Sequence, residues 1–165
     1  MKAKELSNQK EVIVIEMTGR NDLPAGYAQQ YFTHILCARG TASFRIENKR
    51  YKIGRNEIAI VLPSSGIKEL KCSRDFKASC LLISFDLMSK NNPDIGWGIK
   101  GFLFSKDNPV MCLSEPDADK CLYNFRLLQE RYIDEEHRFG KEIVNLQLQI
   151  FIMEMWNIFS REIEK

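Results

Sequence analysis

Histidine is scarce in this chain, and clustered cysteine is absent. There are two histidines, His34 and His137, and five cysteines, Cys37, Cys72, Cys80, Cys112 and Cys121, no two at Cys-x-x-Cys spacing. A structural zinc site needs clustered thiolates or imidazoles, so a zinc-stapled fold is excluded. An odd, dispersed set of cysteines reads as reduced thiols rather than a disulfide framework, which points to the cytoplasm. Charge of one sign is also in short supply. Twenty-four basic residues face 22 acidic ones, and the net charge of +2 leaves no electrostatic footprint for DNA or RNA. Long apolar runs are missing. The most apolar stretch, Ile143 to Phe159, is interrupted by Asn145, Gln147, Gln149, Glu154 and Asn157. It therefore falls short of the roughly 18–20 apolar residues of a membrane span. The N-terminus is polar and has no signal-peptide core. No Walker or Rossmann glycine pattern and no Gly-x-Ser-x-Gly occurs, which removes the phosphate cradle and the nucleophile elbow.

What is present is one ordinary globular domain. The chain has 165 residues, 44% hydrophobic and 28% charged, enough to bury one sizeable core and too apolar for a disordered chain. Its first part reads as strands. Glu11 to Met17 is β-branched and bounded by Gly19, Asn21 and Pro24. Tyr31 to Arg39 ends at Gly40, and Ala42 to Glu47 alternates apolar with polar. A turn at Asn48-Lys49 returns the chain through Arg50 to Ile53 as a hairpin. Glu57 to Leu62 stops at Pro63, and Ile67 to Cys72 and Ala78 to Phe85 supply two more strands. Many short strands at close spacing predict a sandwich or barrel. The stretch from Ser89 to Met111, with Gly96, Gly98 and Gly101, reads as an irregular link with short helical or extended pieces.

The last part reads as helices. Ser114-Glu-Pro-Asp117 is a start signal, with Ser114 as cap and Pro116 in the first turn. Cys121, Leu122, Phe125, Leu128 and Tyr132 follow at helical spacing to about Glu135. A second helix runs from about Lys141 to Glu164. The expected division is residues 1–112 for the β part and 113–165 for the helical pair, within one compact domain. The second helix is apolar on more than one face, wider than the stripe of an ordinary surface helix. One face can dock on the rest of the chain. The other predicts a homodimer through Leu148, Ile152, Met155, Trp156 and Phe159.

No catalytic constellation emerges. His34 lies within an apolar strand and reads as a packed or pocket-lining side chain. His137 sits in a charged turn, and Glu135-Glu136 at a charged helix end, both best explained by solvation.

The run from Ile35 to Pro63, in which a strand ends at Gly40, a hairpin follows, and a turn at Asn56-Glu57 feeds a strand ending in Pro63, resembles the first motif of a cupin barrel. Asn56-Glu57 stands where Gly-Asp is usual. With the Pro116-Asp117 helix start and two helices, residues 12–162 are similar to the N-terminal effector-binding and dimerisation domain of AraC/XylS-type transcription regulators. The resemblance implies a mainly β fold, a cupin-type double-stranded β-barrel or jelly roll, followed by two antiparallel helices. Metal cupins carry His-x-His and a Glu before the glycine and a His after the proline. Here residues 26–33 offer neither, and residues 64–71 offer Glu69 alone, so no metal and no other cofactor is expected. The resemblance further implies a small-molecule effector inside the barrel. Arg39 matches the basic residue before the glycine turn, and Tyr31, His34, Cys80 and Leu82 are further candidate wall residues.

The family's DNA-reading part is a separate helix-turn-helix domain C-terminal to the second helix. The chain stops at Lys165, which implies either a fragment of a longer regulator or a free-standing sensor, with DNA bound only by a domain outside this chain. The expectation is thus a non-enzymatic, cytoplasmic ligand-sensing and dimerisation domain that does not enter the membrane. A stand-alone metal-free cupin enzyme, a binding protein for a small carbohydrate or acid, and a module that only dimerises stay open beside it.

Overall fold

The computed structural model describes residues 10–19 and 22–165. Asn21 and most of the N-terminal segment therefore lie outside the described residues. Among the described residues eight strands form two antiparallel sheets. β1 (Val12–Met17), β7 (Lys77–Ser84), β2 (Tyr31–Arg39), β5 (Glu57–Val61) and β8 (Val110–Cys112) lie side by side in that order. β4 (Lys49–Ile53), β3 (Ala42–Ile46) and β6 (Lys68–Cys72) make the smaller sheet. The fold is mainly β with helices at the C-terminal end. Among the described residues the two sheets do not close into one continuous sheet.

The two sheets differ in their hydrophobic pattern for a physical reason. The larger sheet is buried on both faces, so β2, β5 and β7 are nearly continuous in apolar residues. Tyr31, Ile35 and Cys37 of β2 and Ala78, Cys80 and Leu82 of β7 meet Phe44 and Ile53 of the smaller sheet. The opposite parity, including Leu36, Ile58, Ile60, Leu81 and Ile83, packs on the helices. The smaller sheet has one wet face and shows the plain alternation of Ala42-Ser43-Phe44-Arg45-Ile46. On that face Glu69, the lone carboxylate noted above, is committed to Arg50 at 2.6 Å and Arg45 at 3.4 Å.

Turns follow the sequence closely. The β3–β4 hairpin turns at Glu47-Asn48, one residue earlier than expected, because Ile46 pairs with Lys49. Gly40 has φ +71°, and a Cβ there would lie 2.7 Å from the Phe76 backbone, so the β2–β3 corner requires glycine.

Among the described residues there are five helices: α1 (Tyr27–Gln30), whose Tyr27 packs on the inter-sheet core, and α2 (Phe85–Lys90), α3 (Ile95–Asp107), α4 (Glu115–Ile133) and α5 (Gly140–Ile163), which contribute to the core on the outer side of the larger sheet. Ser114 caps α4 as expected, its hydroxyl accepting from the Asp117 N–H at 3.2 Å. The contacts Asn124–Gln147, Lys120–Glu154 and Asp117–Arg161 run in opposite senses along the two chains, so α4 and α5 are antiparallel. No helix among the described residues is long and apolar enough to cross a membrane.

Residues 89–111, expected as an irregular link with short helical or extended pieces, are more regular than that. The stretch holds α3, a 13-residue helix capped by Asp94, whose carboxylate accepts from the Trp97 N–H at 2.8 Å. It also holds β8 at the sheet edge. Three glycines, each costing a helix about 1 kcal/mol relative to alanine, hide α3 from a propensity reading. Tertiary packing uses two of them. A Cβ on Gly101 would sit 3.0 Å from Trp156 Nε1, and one on Gly98 would sit 2.4 Å from the Asn92 side chain.

Candidate functional site

The larger sheet sends its side chains to two environments, and the expected ligand contacts divide between them. Tyr31, Cys80 and Leu82 face the space between the sheets, where they are packed among Met17, Phe44 and Ile53. The Tyr31 hydroxyl donates to the Lys10 carbonyl. Burial pushes the Cys80 thiol up to about 12, so it is protonated and unreactive at neutral pH. Thr33 shares their strand parity, and its Oγ1 is buried without a hydrogen-bond partner. Arg39 does not join them. It is exposed at the end of β2, where its Nε donates to the Asp75 carbonyl at 3.1 Å. A guanidinium stays at the rim because burial without a carboxylate partner would cost several kcal/mol.

His34 also departs from the expected interior position. It projects from the opposite face of β2, toward the helices. There it lines a pocket of about 180 Å³ between the sheet and α2, α3 and α5. The sheet contributes Phe32, His34, Ile60 and Leu62, and α2 contributes Met88 and Ser89. α3 contributes Gly98, Gly101, Phe102 and Ser105, while α5 supplies Phe151, Ile152, Met155, Trp156 and Phe159. Asn92, between α2 and α3, completes the lining.

The pocket exists because α3 stands on glycines where larger side chains would fill the space. Trp97 stacks on Trp156 with ring centroids 6.5 Å apart, which ties α3 to α5 beside the pocket. Asn91 holds the end of α2 in place. Its amide donates to the Leu87 carbonyl at 2.9 Å and to Asn145 Oδ1 at 3.0 Å, and its Oδ1 accepts from Gln149 at 3.2 Å.

His34 is the only titratable side chain in the lining, and no charged residue accompanies it. Burial pushes its pKa down to about 4, so the ring is neutral at pH 7. Its Nδ1 lies 3.2 Å from the Leu81 carbonyl, which can only accept. The proton of the neutral ring therefore sits on Nδ1, and Nε2 carries a lone pair. Nε2 has no partner among the described residues. A neutral imidazole on an otherwise uncharged wall can accept one hydrogen bond; it has no carboxylate to orient it as a general base.

Four of the five residues expected on an exposed dimer face belong to this inner side of α5. Leu148, Ile152, Met155 and Phe159 are buried within the chain, and Trp156 is half-buried against Trp97. Of the exposed apolar residues on α5, Leu146, Ile150 and Met153 are spaced four and three residues apart along one helix face, and Ile163 stands apart from them at the last residue. Phe32, Phe102 and Ser105 are pocket residues that sequence reasoning passed over. Phe32 shares strand parity with His34, which was a usable signal; α3 offered none while it read as a loop. His137 is exposed, and its Nδ1 accepts from the Phe139 N–H at 3.0 Å.

No family model matches the sequence, and no curated protein matches it. Among solved structures, the chain is similar to the AraC-like transcriptional activator CuxR, with a TM-score of 0.55 at 13% identity over 88% of this chain and 52% of that one. It is similar to ToxT from Vibrio cholerae, with a TM-score of 0.43 at 14% identity over 87% of this chain and 55% of that one. A structure of ToxT bound to (E)-4-(8-methylnaphthalen-1-yl)but-3-enoic acid matches with a TM-score of 0.43 at 13% identity, over 82% of this chain and 53% of that one. The chain thus spans about half the length of the solved proteins it resembles, and its fold is that of about half of an AraC-like regulator.

Proposed function

We propose that the chain is the ligand-sensing and dimerisation module of an AraC-like transcription regulator, acting in the cytoplasm. The observation that carries this reading is the fold shared with about half of CuxR. The expected cupin-type barrel fits the antiparallel pairing and the two-sheet core, with the smaller sheet closing over the larger one. DNA would be bound by a domain outside this chain, which agrees with the balanced charge of +2. His34 is the ligand contact of choice, because it alone among the expected set faces an open pocket. Tyr31, Cys80 and Leu82 would then keep the inter-sheet core closed behind it.

Ligand binding would be felt where the pocket walls meet the second helix. α5 lines the pocket on one face and presents Leu146, Ile150 and Met153 on another. We assign the homodimer to that outer stripe. A ligand that binds one setting of α3 against α5 better than another would shift the dimer geometry, since only differential affinity can move such an equilibrium. The reading is of a binding module rather than an enzyme: the pocket wall holds one weakly basic imidazole and no second titratable group.

The test is a fusion of this chain to a DNA-binding domain that represses a reporter only as a dimer. Repression by the fusion is expected, with loss on Ile150→Glu. A folded, expressed fusion that fails to repress would overturn the dimerisation reading.

A further inference from the structure

We propose that the pocket between the larger sheet and α3 and α5 binds a small, neutral, mainly apolar molecule that donates one hydroxyl or N–H group to His34 Nε2. The molecule's role as effector rests on the sensor reading above; its binding chemistry rests on the pocket alone.

Three features fix the class. The size is right for one small ring or a short chain. A dry, apolar protein cavity of about 150 Å³ holds benzene, and this pocket has about 180 Å³. The wall offers a charged ligand group no partner. Its members include Phe32, Ile60, Leu62, Phe151 and Phe159, and no lysine, arginine, aspartate or glutamate offers a countercharge. A carboxylate or ammonium would enter unpaired and lose its hydration without return. The polarity of the buried imidazole, an acceptor that cannot also donate, decides the remaining feature. His34 is 4% exposed, its Nδ1–H is committed to Leu81, and Phe151 braces the ring edge-on at 5.3 Å. The ring cannot turn to offer a donor without breaking that bond, so the ligand must bring the hydrogen. Ser105, equally buried, adds a hydroxyl to the α3 side of the same wall.

The experiment uses cyclohexanol and cyclohexane as matched probes, differing by one hydroxyl. Trp156 lines the pocket and Trp97, the chain's other tryptophan, stacks on it, so intrinsic fluorescence reports its occupancy. A purely apolar pocket prefers the hydrocarbon, because the alcohol must shed its hydration. The expected result is that cyclohexanol binds at least as tightly as cyclohexane, and that the Nε2 resonance of ¹⁵N-labelled His34 shifts with the alcohol alone. In His34→Phe, which keeps the ring and removes the acceptor, cyclohexanol should bind about fivefold to tenfold more weakly, with cyclohexane little changed. The nitrogen resonance is read on the unaltered chain, so the test survives if that variant fails to fold.

Tighter binding of cyclohexane with an unmoved Nε2 resonance would overturn the proposal, as would no fluorescence response to either probe. Cyclohexanol binding that leaves the dimer unchanged by light scattering would uphold the pocket chemistry and count against the sensor reading. A different compound that shifts the dimer with Nε2 unmoved, while cyclohexanol fails to bind, would do the reverse.

Discussion

The His34 imidazole meets the Phe151 ring edge-on, with centroids 5.3 Å apart and planes at 75°. A strand residue and a helix residue 117 positions apart thus seal the back of the pocket, and the histidine pays for its place there by staying neutral. Its pKa lies at about 4, against an ordinary value of 6.5, because burial penalises the charged ring. Below pH 6.5 the unfolded chain takes up a proton that the folded chain refuses. Stability from this group is therefore whole above pH 6.5 and is lost as pH falls toward 4, by about 3 kcal/mol in all. Urea unfolding at pH 7 and pH 4.5 should show a steeper acid loss in the wild-type chain than in His34→Phe. Equal slopes would mean that the ring takes up its proton inside the fold.

Glycines at two positions should respond differently. Gly40→Ala adds a Cβ 2.7 Å from the Phe76 backbone at a residue with φ +71°, and neither can yield. A loss of about 2 kcal/mol or more is expected in chemical denaturation. Gly98→Ala meets only the end of the flexible Asn92 side chain and gains helix propensity, so its stability should stay within about 1 kcal/mol of wild type. A larger loss at Gly98 than at Gly40 would refute this account of the two backbones.

Two neighbouring isoleucines on α5 separate the core from the proposed interface. Ile152 is 7% exposed and lines the pocket, whereas Ile150 is 47% exposed on the outer stripe. Ile152→Glu buries an unpaired carboxylate and should unfold the chain or cost about 3 kcal/mol or more. Ile150→Glu should keep the melting temperature of the monomer and shift the sedimentation coefficient toward the monomeric value. An Ile150→Glu protein that sediments as the wild type does would remove this face from the dimer.

The cysteines should divide by burial. Cys112 is exposed on β8, with its Sγ 3.9 Å from Glu57. Cys80 and Cys121 are buried, and burial pushes both thiols up to about 12. Brief treatment of the folded chain with a thiol reagent at pH 7.5 should label Cys112 first and leave Cys80 and Cys121 unmodified, as read by peptide mass spectrometry. Labelling of Cys80 at the rate of Cys112 would show that the inter-sheet core opens on the timescale of the reaction.

Local physical chemistry was legible in the amino-acid order. The β-branched run of β1, the alternation of β3, and the Ser114 cap with Pro116 at the start of α4 each depend on residues within one turn or one strand pair, and each stands where expected. Tertiary packing decided the rest. β2 is apolar at both parities, because its sheet is covered on both faces, so no period told which side His34 takes. α3 carries three glycines that local propensity reads as a loop, and it is seated as a helix by contacts distant in sequence, with Trp156 lying against the backbone that Gly101 leaves bare. The wide apolar face of α5 announced more than one contact but not which residues serve which. Burial in the sheet and pocket claimed Leu148, Ile152, Met155 and Phe159, and left Leu146, Ile150 and Met153 outside.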